Sequence, residues 1–374
     1  MSRSDTTALR RWTRPAQAAA ILGVVICVLA FFFARPEIAR ACWTAWLFWS
    51  GVSFGFLALL MLHALTGGMW GDETILLQRT GARTLPFMGL LLLLLFFVLK
   101  DVFPWADRAA LFGDDSPHQR AYFQTAGFML RGLAYFAILG GWTLLLGLWK
   151  RPAGPPASIV PPSPAAAGLV LYPLLMLFAS TDWVVSLEPH WSSTMFVIIF
   201  VVDHVLAALA LMILLLPETA PGARPTKAWH DLGNLLLAFV MLWAYVTFSQ
   251  FLIIWSGNLP REISWYRHRM TGPWPSVTVL LAVCQFAIPF ALLLFRVTKR
   301  TPRVLRAIAG LVLTAALLHT AWLVLPAFAD TGLISGLLCV AAFLGMGGLW
   351  GMLFLRLLPA TAEEPLARKE VPSA

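Results

Sequence analysis

The sequence predicts an all-α polytopic membrane protein of about ten transmembrane helices. Hydrophobic residues make up 59% of the 374 residues and charged residues 12%, about half the roughly 25% charged share that clothes a soluble domain. The apolar residues fall in runs of about 20, the length of helix that crosses a hydrocarbon core about 30 Å thick. The mean hydropathy is +0.78. The net charge of +9 sits in short connectors between those runs, where it encodes membrane orientation and not nucleic-acid binding.

The expected spans are 17–34, 42–66, 84–103, 121–149, 166–187, 192–216, 229–256, 274–296, 305–325 and 333–357. The first follows Arg10, Arg11 and Arg14 and runs to Phe31-Phe32-Phe33 without a small-residue cleavage site, so it reads as a retained helix and not a signal peptide. Pro-rich residues 150–165 form a stiff linker that divides the helices into two groups. Residues 1–16 and 359–374 read as cytoplasmic segments, and 17–358 as one integral membrane domain. Of the 27 Lys and Arg, 18 lie on one side, eight on the other, and Arg131 lies inside a span. That split puts both termini in the cytoplasm. The 257–273 loop, with Arg261, Arg267 and Arg269, runs against the trend, as expected of a loop covered by a partner or facing anionic headgroups. Cys27, Cys42, Cys284 and Cys339 show no CxxC or CxxCH spacing. Zinc, a cysteine-bound iron–sulfur cluster and covalent c-type haem are therefore unsupported, and four buried free thiols are expected. The 17 tryptophans sit mostly near span ends, as interfacial anchors do.

Ionisable groups inside a span cost several kcal/mol unless paired or hydrated. At a rise of about 1.5 Å per residue, Arg131 and Asp203 both come to lie about 15–17 Å deep, which suggests an ion pair with His204 adjacent. Asp182 and His319 come to lie about 8–9 Å below the outer boundary, with Gln250 near that layer. His63, His230 and Asp231 belong near the cytoplasmic end. Such layers suit a hydrated proton path. They also suit purely structural roles: a locking Arg131–Asp203 pair, a helix cap at Asp231, or histidines bonded to backbone carbonyls. His63, His204 and His319 lie at different depths, which argues against bis-histidine haem.

Between the fifth and sixth spans Asp182-Trp183-Val184-Val185-Ser186-Leu187-Glu188-Pro189-His190-Trp191-Ser192-Ser193-Thr194-Met195-Phe196 makes a short hairpin. Pro189 ends the helical ladder, Ser192 or Ser193 can cap the returning helix, and Glu188 and His190 are expected at the membrane surface. This pattern resembles the second NrfD-like (polysulfide-reductase-type) membrane component of alternative complex III. A second block supports the resemblance: Trp243-Ala244-Tyr245, Phe248-Ser249-Gln250-Phe251-Leu252-Ile253-Ile254-Trp255 and Asn258-Leu259-Pro260-Arg261-Glu262. It departs from the family pattern at Arg261, where the family has an acidic residue, and Asp203-His204 lies outside the pattern.

The resemblance implies two four-helix bundles with two flanking helices, in a bacterial inner-membrane quinol:cytochrome c oxidoreductase. It implies a subunit without redox centres that supports proton translocation and lines a quinone site. Haem and iron–sulfur clusters would belong to partner subunits: a multihaem cytochrome, an iron–sulfur protein and a sister NrfD-like subunit. Asp182, Glu188 and His190 fall on the first block, Ser249 and Gln250 on the second. A stand-alone transporter, with Pro173 and Pro289 marking broken helices, and a structural anchor for electron-transfer subunits are the competing classes.

Overall fold

The computed structural model describes residues 9–107, 117–149, 160–216, 226–328 and 332–358. The expected segments 1–8 and 359–374, and residues 150–159 of the Pro-rich linker, lie outside the described residues. Ten helices long and apolar enough to cross a membrane are present, and no strand occurs among the described residues. They are α1 (Thr13–Phe33), α2 (Arg35–Thr66), α3 (Met69–Val102), α4 (Thr125–Leu145), α5 (Pro162–Leu187), α6 (Phe196–Leu215), α7 (Thr226–Gly257), α8 (Trp274–Leu294), α9 (Pro302–Ala327) and α10 (Leu333–Leu357).

α2 packs on α3 and α5, and α4 closes the first four-helix bundle by packing on α3 and α5. α6 packs on α7 and α9, and α8 closes the second bundle against the same two helices. The bundles meet where α6 lies against α2 and α5, while α1 and α10 pair with each other and flank α2. Helix α2 is therefore the central post: 89% of its apolar window is buried, against 11% for α1.

Lipid is as apolar as leucine, so membrane helices associate through close packing of small residues. Gly23 of α1 meets Gly345 of α10 backbone to backbone, and Gly348 meets Ala16 and Ala20 in the same way. This antiparallel crossing brings Thr13 and Leu357 to one end of the molecule, the terminal end; Arg10 Nη2 there donates to Leu358 O at 3.4 Å. The α5–α6 turn lies at the opposite, hairpin end.

Several helices depart from the expected spans. α2 begins at Arg35, with Pro36 in its first turn, where a missing amide proton costs nothing. Residues 69–82, expected as a polar loop, form the helical first part of α3. Their polar groups are satisfied internally: Gln78 Nε2 donates to Thr74 Oγ1 at 2.7 Å, and Arg79 Nε to Leu148 O at 2.8 Å beyond the end of α4. Asp231 lies inside α7 and does not cap it. Pro173 is accommodated within α5. Of the cysteines, all free, only Cys339 is fully buried, and the others are partly buried. Trp43, Trp46, Trp183 and Trp265 are fully buried core residues and not interfacial anchors.

A side chain at Gly23 would run into the Gly345 backbone, and overpacking of this kind costs about 1–3 kcal/mol. Gly23→Leu is expected to lower the thermal midpoint of the detergent-solubilised protein. Gly140→Ala, with open space around its Cβ position, should leave it unchanged.

Candidate functional site

Three carboxylates enter the packed interior towards the hairpin end, each held differently. Asp182, at the end of the regular helix in α5, is fully buried. It accepts Arg131 Nε at 2.9 Å, Arg131 Nη2 at 2.8 Å and Tyr135 Oη at 2.7 Å. The third guanidinium nitrogen, Nη1, donates to Tyr122 O at 2.9 Å, and the Tyr122 ring lies 3.8 Å beneath the cation. Burial, and then the Asp182 charge, push the Tyr122 phenol up to about 12, so this ring is a neutral platform. A bidentate arginine and a phenol fix the carboxylate's orientation.

Glu188 follows the 3-10 turn Val185–Leu187 and is buried, where the sequence suggested a surface position. Its oxygens take Arg269 Nη1 and His268 Nδ1, each at 3.0 Å. Arg269 comes from the short helix Pro260–Arg269 and is itself fully buried. It also donates to the carbonyls of Trp265 (2.8 Å), Trp322 (3.2 Å) and Leu323 (2.7 Å), with its charge 3.2 Å from the Trp265 ring. Burial lowers its pKa from 12.5 to about 10, against the opposing pull of Glu188. Folded and unfolded chains are both protonated there below pH 10, so the cost of burying this cation is present in full at neutral pH. It is relieved only as pH rises past 10. Arg269, expected to face a partner or lipid headgroups, instead ties the 257–273 loop to the hairpin.

The two sequence blocks meet in the same region. Ser193 Oγ donates to Gln250 Oε1 at 3.1 Å, and Trp191 Nε1 to Glu262 O at 3.1 Å. Asn258 ends α7 with φ 48°, a left-handed conformation that asparagine tolerates, and turns the chain into Pro260–Arg269. His190 is exposed in the hairpin turn, and Ser249 is half-buried beside Gln250.

Asp203 does not pair with Arg131. His319 Nδ1 stands 2.9 Å from Asp203 Oδ2, but off hydrogen-bond alignment. Both carboxylate oxygens and both ring nitrogens therefore lack a hydrogen bond within the protein. The reason lies in the helix ends together with the helix neighbours, since α4 packs on α5 and α6 on α9. α6 starts at Phe196 and α4 at Thr125, four residues later than expected, so Asp203 and Arg131 both lie shallower, about 9–11 Å from their helix starts. At that level Arg131 reaches Asp182, and Asp203 reaches His319. His204, buried next to Asp203, has Nδ1 2.8 Å from Tyr172 Oη. Gly51 makes room for it, since a Cβ there would lie 2.5 Å from His204 Cδ2.

Two voids flank the Asp203–His319 contact. A cavity of about 660 Å³ is lined by His319, Trp243, Trp322 and Arg269 among others. A void of about 20 Å³, the scale of one water, is lined by Asp203, His204, Phe200 and Thr320. Trp243 is held by Gln285, from the π-turn Ala282–Ala287 of α8. The amide orientation that satisfies both groups accepts from Trp243 Nε1 at 3.1 Å and donates to Ala315 O at 3.2 Å. Wide turns of this kind recur at functional sites.

The remaining expected residues lie elsewhere. His63 meets half-exposed Asp72 at 3.2 Å, and Asp231 is 3.8 Å from His230, both near the terminal end. His268, Tyr135, Tyr172 and Gln285 carry the site without a signal in the sequence, and Arg269 is signalled only by the contrary charge of the 257–273 loop. No group of three or more His, Cys, Asp or Glu that could hold a metal is present among the described residues. No family model matches the chain, and no curated protein matches it significantly.

Breaking a buried ion pair from one side leaves an uncompensated charge, at a cost of about 3–5 kcal/mol. Asp182→Asn is expected to lower thermal stability sharply, and the paired change Arg131→Met with Asp182→Leu to recover most of the loss. Melting curves in one detergent check both.

Proposed function

We propose that this chain is a membrane subunit, without redox centres of its own, of a bacterial respiratory quinol:cytochrome c oxidoreductase of the alternative complex III type, and that it carries protons. The observation that carries the reading is the Asp203–His319 contact, close enough to pass a proton but not locked by hydrogen bonds. Imidazole takes a proton on one nitrogen and releases one from the other, and Asp and His chains are how helical membrane proteins relay protons. A proton entering from the large cavity reaches His319, passes to Asp203, and continues through the small void towards His204 and Tyr172.

The meeting of the two family-like blocks through Ser193–Gln250 and Trp191–Glu262 supports the assignment. So does the arrangement of two four-helix bundles with a flanking pair. Electron transfer belongs to a multihaem cytochrome and an iron–sulfur partner, with a sister NrfD-like subunit alongside. The excess of Lys and Arg in the connectors of one side puts the terminal end in the cytoplasm and the hairpin end outside the inner membrane.

Purification in mild detergent is expected to bring down haem- and iron–sulfur-bearing partners. In the reconstituted complex, Asp203→Asn should lower the rate of coupled proton movement about a hundredfold, the low end for a lost proton-transfer group. Purification as a clean monomer, or unchanged proton movement, overturns the reading.

A further inference from the structure

Three of the four thiols gather where α1 and α10 meet the central helix. Cys27 lies six residues before the end of α1, and Cys42 seven residues after the start of α2. At about 1.5 Å per residue both come to one level, about 9–11 Å from the ends of these helices nearest the hairpin end. The two side chains share a hydrogen bond, and both are free thiols. Cys339 of α10 is the third. It is buried and hydrogen-bonded to Thr44, which leaves Cys27 and Cys42 as each other's partner.

A recess of about 290 Å³ opens on this pair. Apart from the two sulfurs its walls are apolar, with Val24, Val28, Phe32 and Met346 among them. Val28 and Phe32 are exposed, and on a membrane helix such as α1 an exposed apolar face looks into lipid. The recess is therefore reached from the hydrocarbon and not from water. No carboxylate or imidazole lines it, so a zinc ion finds too few ligands there. Two adjacent thiols do together what one cannot: the first takes an oxygen from a peroxide, and the second resolves the product as a disulfide.

We propose that Cys27 and Cys42 are a peroxide-reactive dithiol, oxidised by a lipid hydroperoxide to a disulfide that staples α1 to α2. Cys27, on the more exposed helix, attacks the outer peroxide oxygen. The O–O bond breaks, the lipid leaves as an alcohol with the Cys27 proton, and Cys27 becomes a sulfenic acid. Cys42 then attacks that sulfur, the S–S bond forms, and the hydroxyl leaves as water with the Cys42 proton. Two electrons pass from the sulfurs to the hydroperoxide, which ends as one alcohol and one water. The staple adds a covalent tie between α2 and a helix that packs mainly on α10. This chemistry is independent of the proton path.

The test uses the full chain in nanodiscs of saturated phospholipid, reduced and then treated with cumene hydroperoxide. The chain is acid-quenched, unfolded and alkylated, and its peptides are mapped by mass. Loss of two alkylatable thiols and a linked Cys27–Cys42 peptide pair are expected, with Cys339 and Cys284 still alkylated. Cys284, partly buried like the reactive pair but on α8, reports what exposure by itself does. Hydrogen peroxide at the same concentration should react more slowly. In Cys42→Ser, dimedone should trap a sulfenic acid at Cys27; in Cys27→Ser, Cys42 should stay reduced. Melting curves show whether each variant is folded, and the mapped link in the unaltered chain stands without them. The inference is overturned by thiols that survive treatment, by oxidation of Cys284 at the same rate, or by a Cys42–Cys339 link. Dimedone labelling of Cys42 in folded Cys27→Ser also overturns it, as does equally fast reaction with hydrogen peroxide, which marks an oxidant from water.

Discussion

A carboxylate inside an apolar bundle must find its counter-charge within the protein, and the arrangement of helices around the hairpin end follows from that need. Asp182, Glu188 and Asp203 are each carried inward, where an unpaired ion costs several kcal/mol. The partners come from three other elements: Arg131 from α4, His268 and Arg269 from the helix Pro260–Arg269, and His319 from α9. These contacts tie α4 to α5, the hairpin to the following loop, and α6 to α9. Hydrophobic burial gives little help in a bilayer, so such polar links, with the Gly23–Gly345 crossing, set which helices are neighbours.

The three pairs differ in how completely they are bonded, and the proposed proton path runs through the least bonded of them. Asp182 accepts three hydrogen bonds from two side chains, and Glu188 is held by an arginine that is itself clamped by three carbonyls. Moving a proton on or off either would break a network. Asp203 and His319 have proximity without alignment, and each opens on its own void. A group that must release its proton repeatedly gains from such loose bonding. The locked pairs hold α4, α5 and the hairpin in place, so that the loose pair between α6 and α9 keeps its spacing.

Much of this is written in the sequence, though not the pairing. Ten apolar runs of spanning length are legible because each is almost free of charge, and Arg131, Asp182 and Asp203 stand out as ions within them. Partner choice is not legible, because helix ends lie four residues from where hydropathy puts them and hydropathy does not say that α4 packs on α5 and α6 on α9. The long Arg131 side chain adds to that error by reaching beyond its own level. Gln78 and Arg79 resemble loop residues in composition, because sequence does not reveal that Thr74 and the Leu148 carbonyl satisfy them. Arg269 resembles a surface cation for the same reason. The cavity is hidden altogether: Trp243, Phe286 and Trp322 look like lipid-facing aromatics until α7, α8 and α9 are brought together.

The central claim is that Asp203, and not Asp182, is the carboxylate that changes protonation during turnover. Redox-induced infrared difference spectra of the reconstituted complex test it most directly. A carboxyl signal that is lost in Asp203→Asn and retained in Asp182→Asn is the predicted result. A signal that persists in Asp203→Asn and disappears in Asp182→Asn would contradict the account.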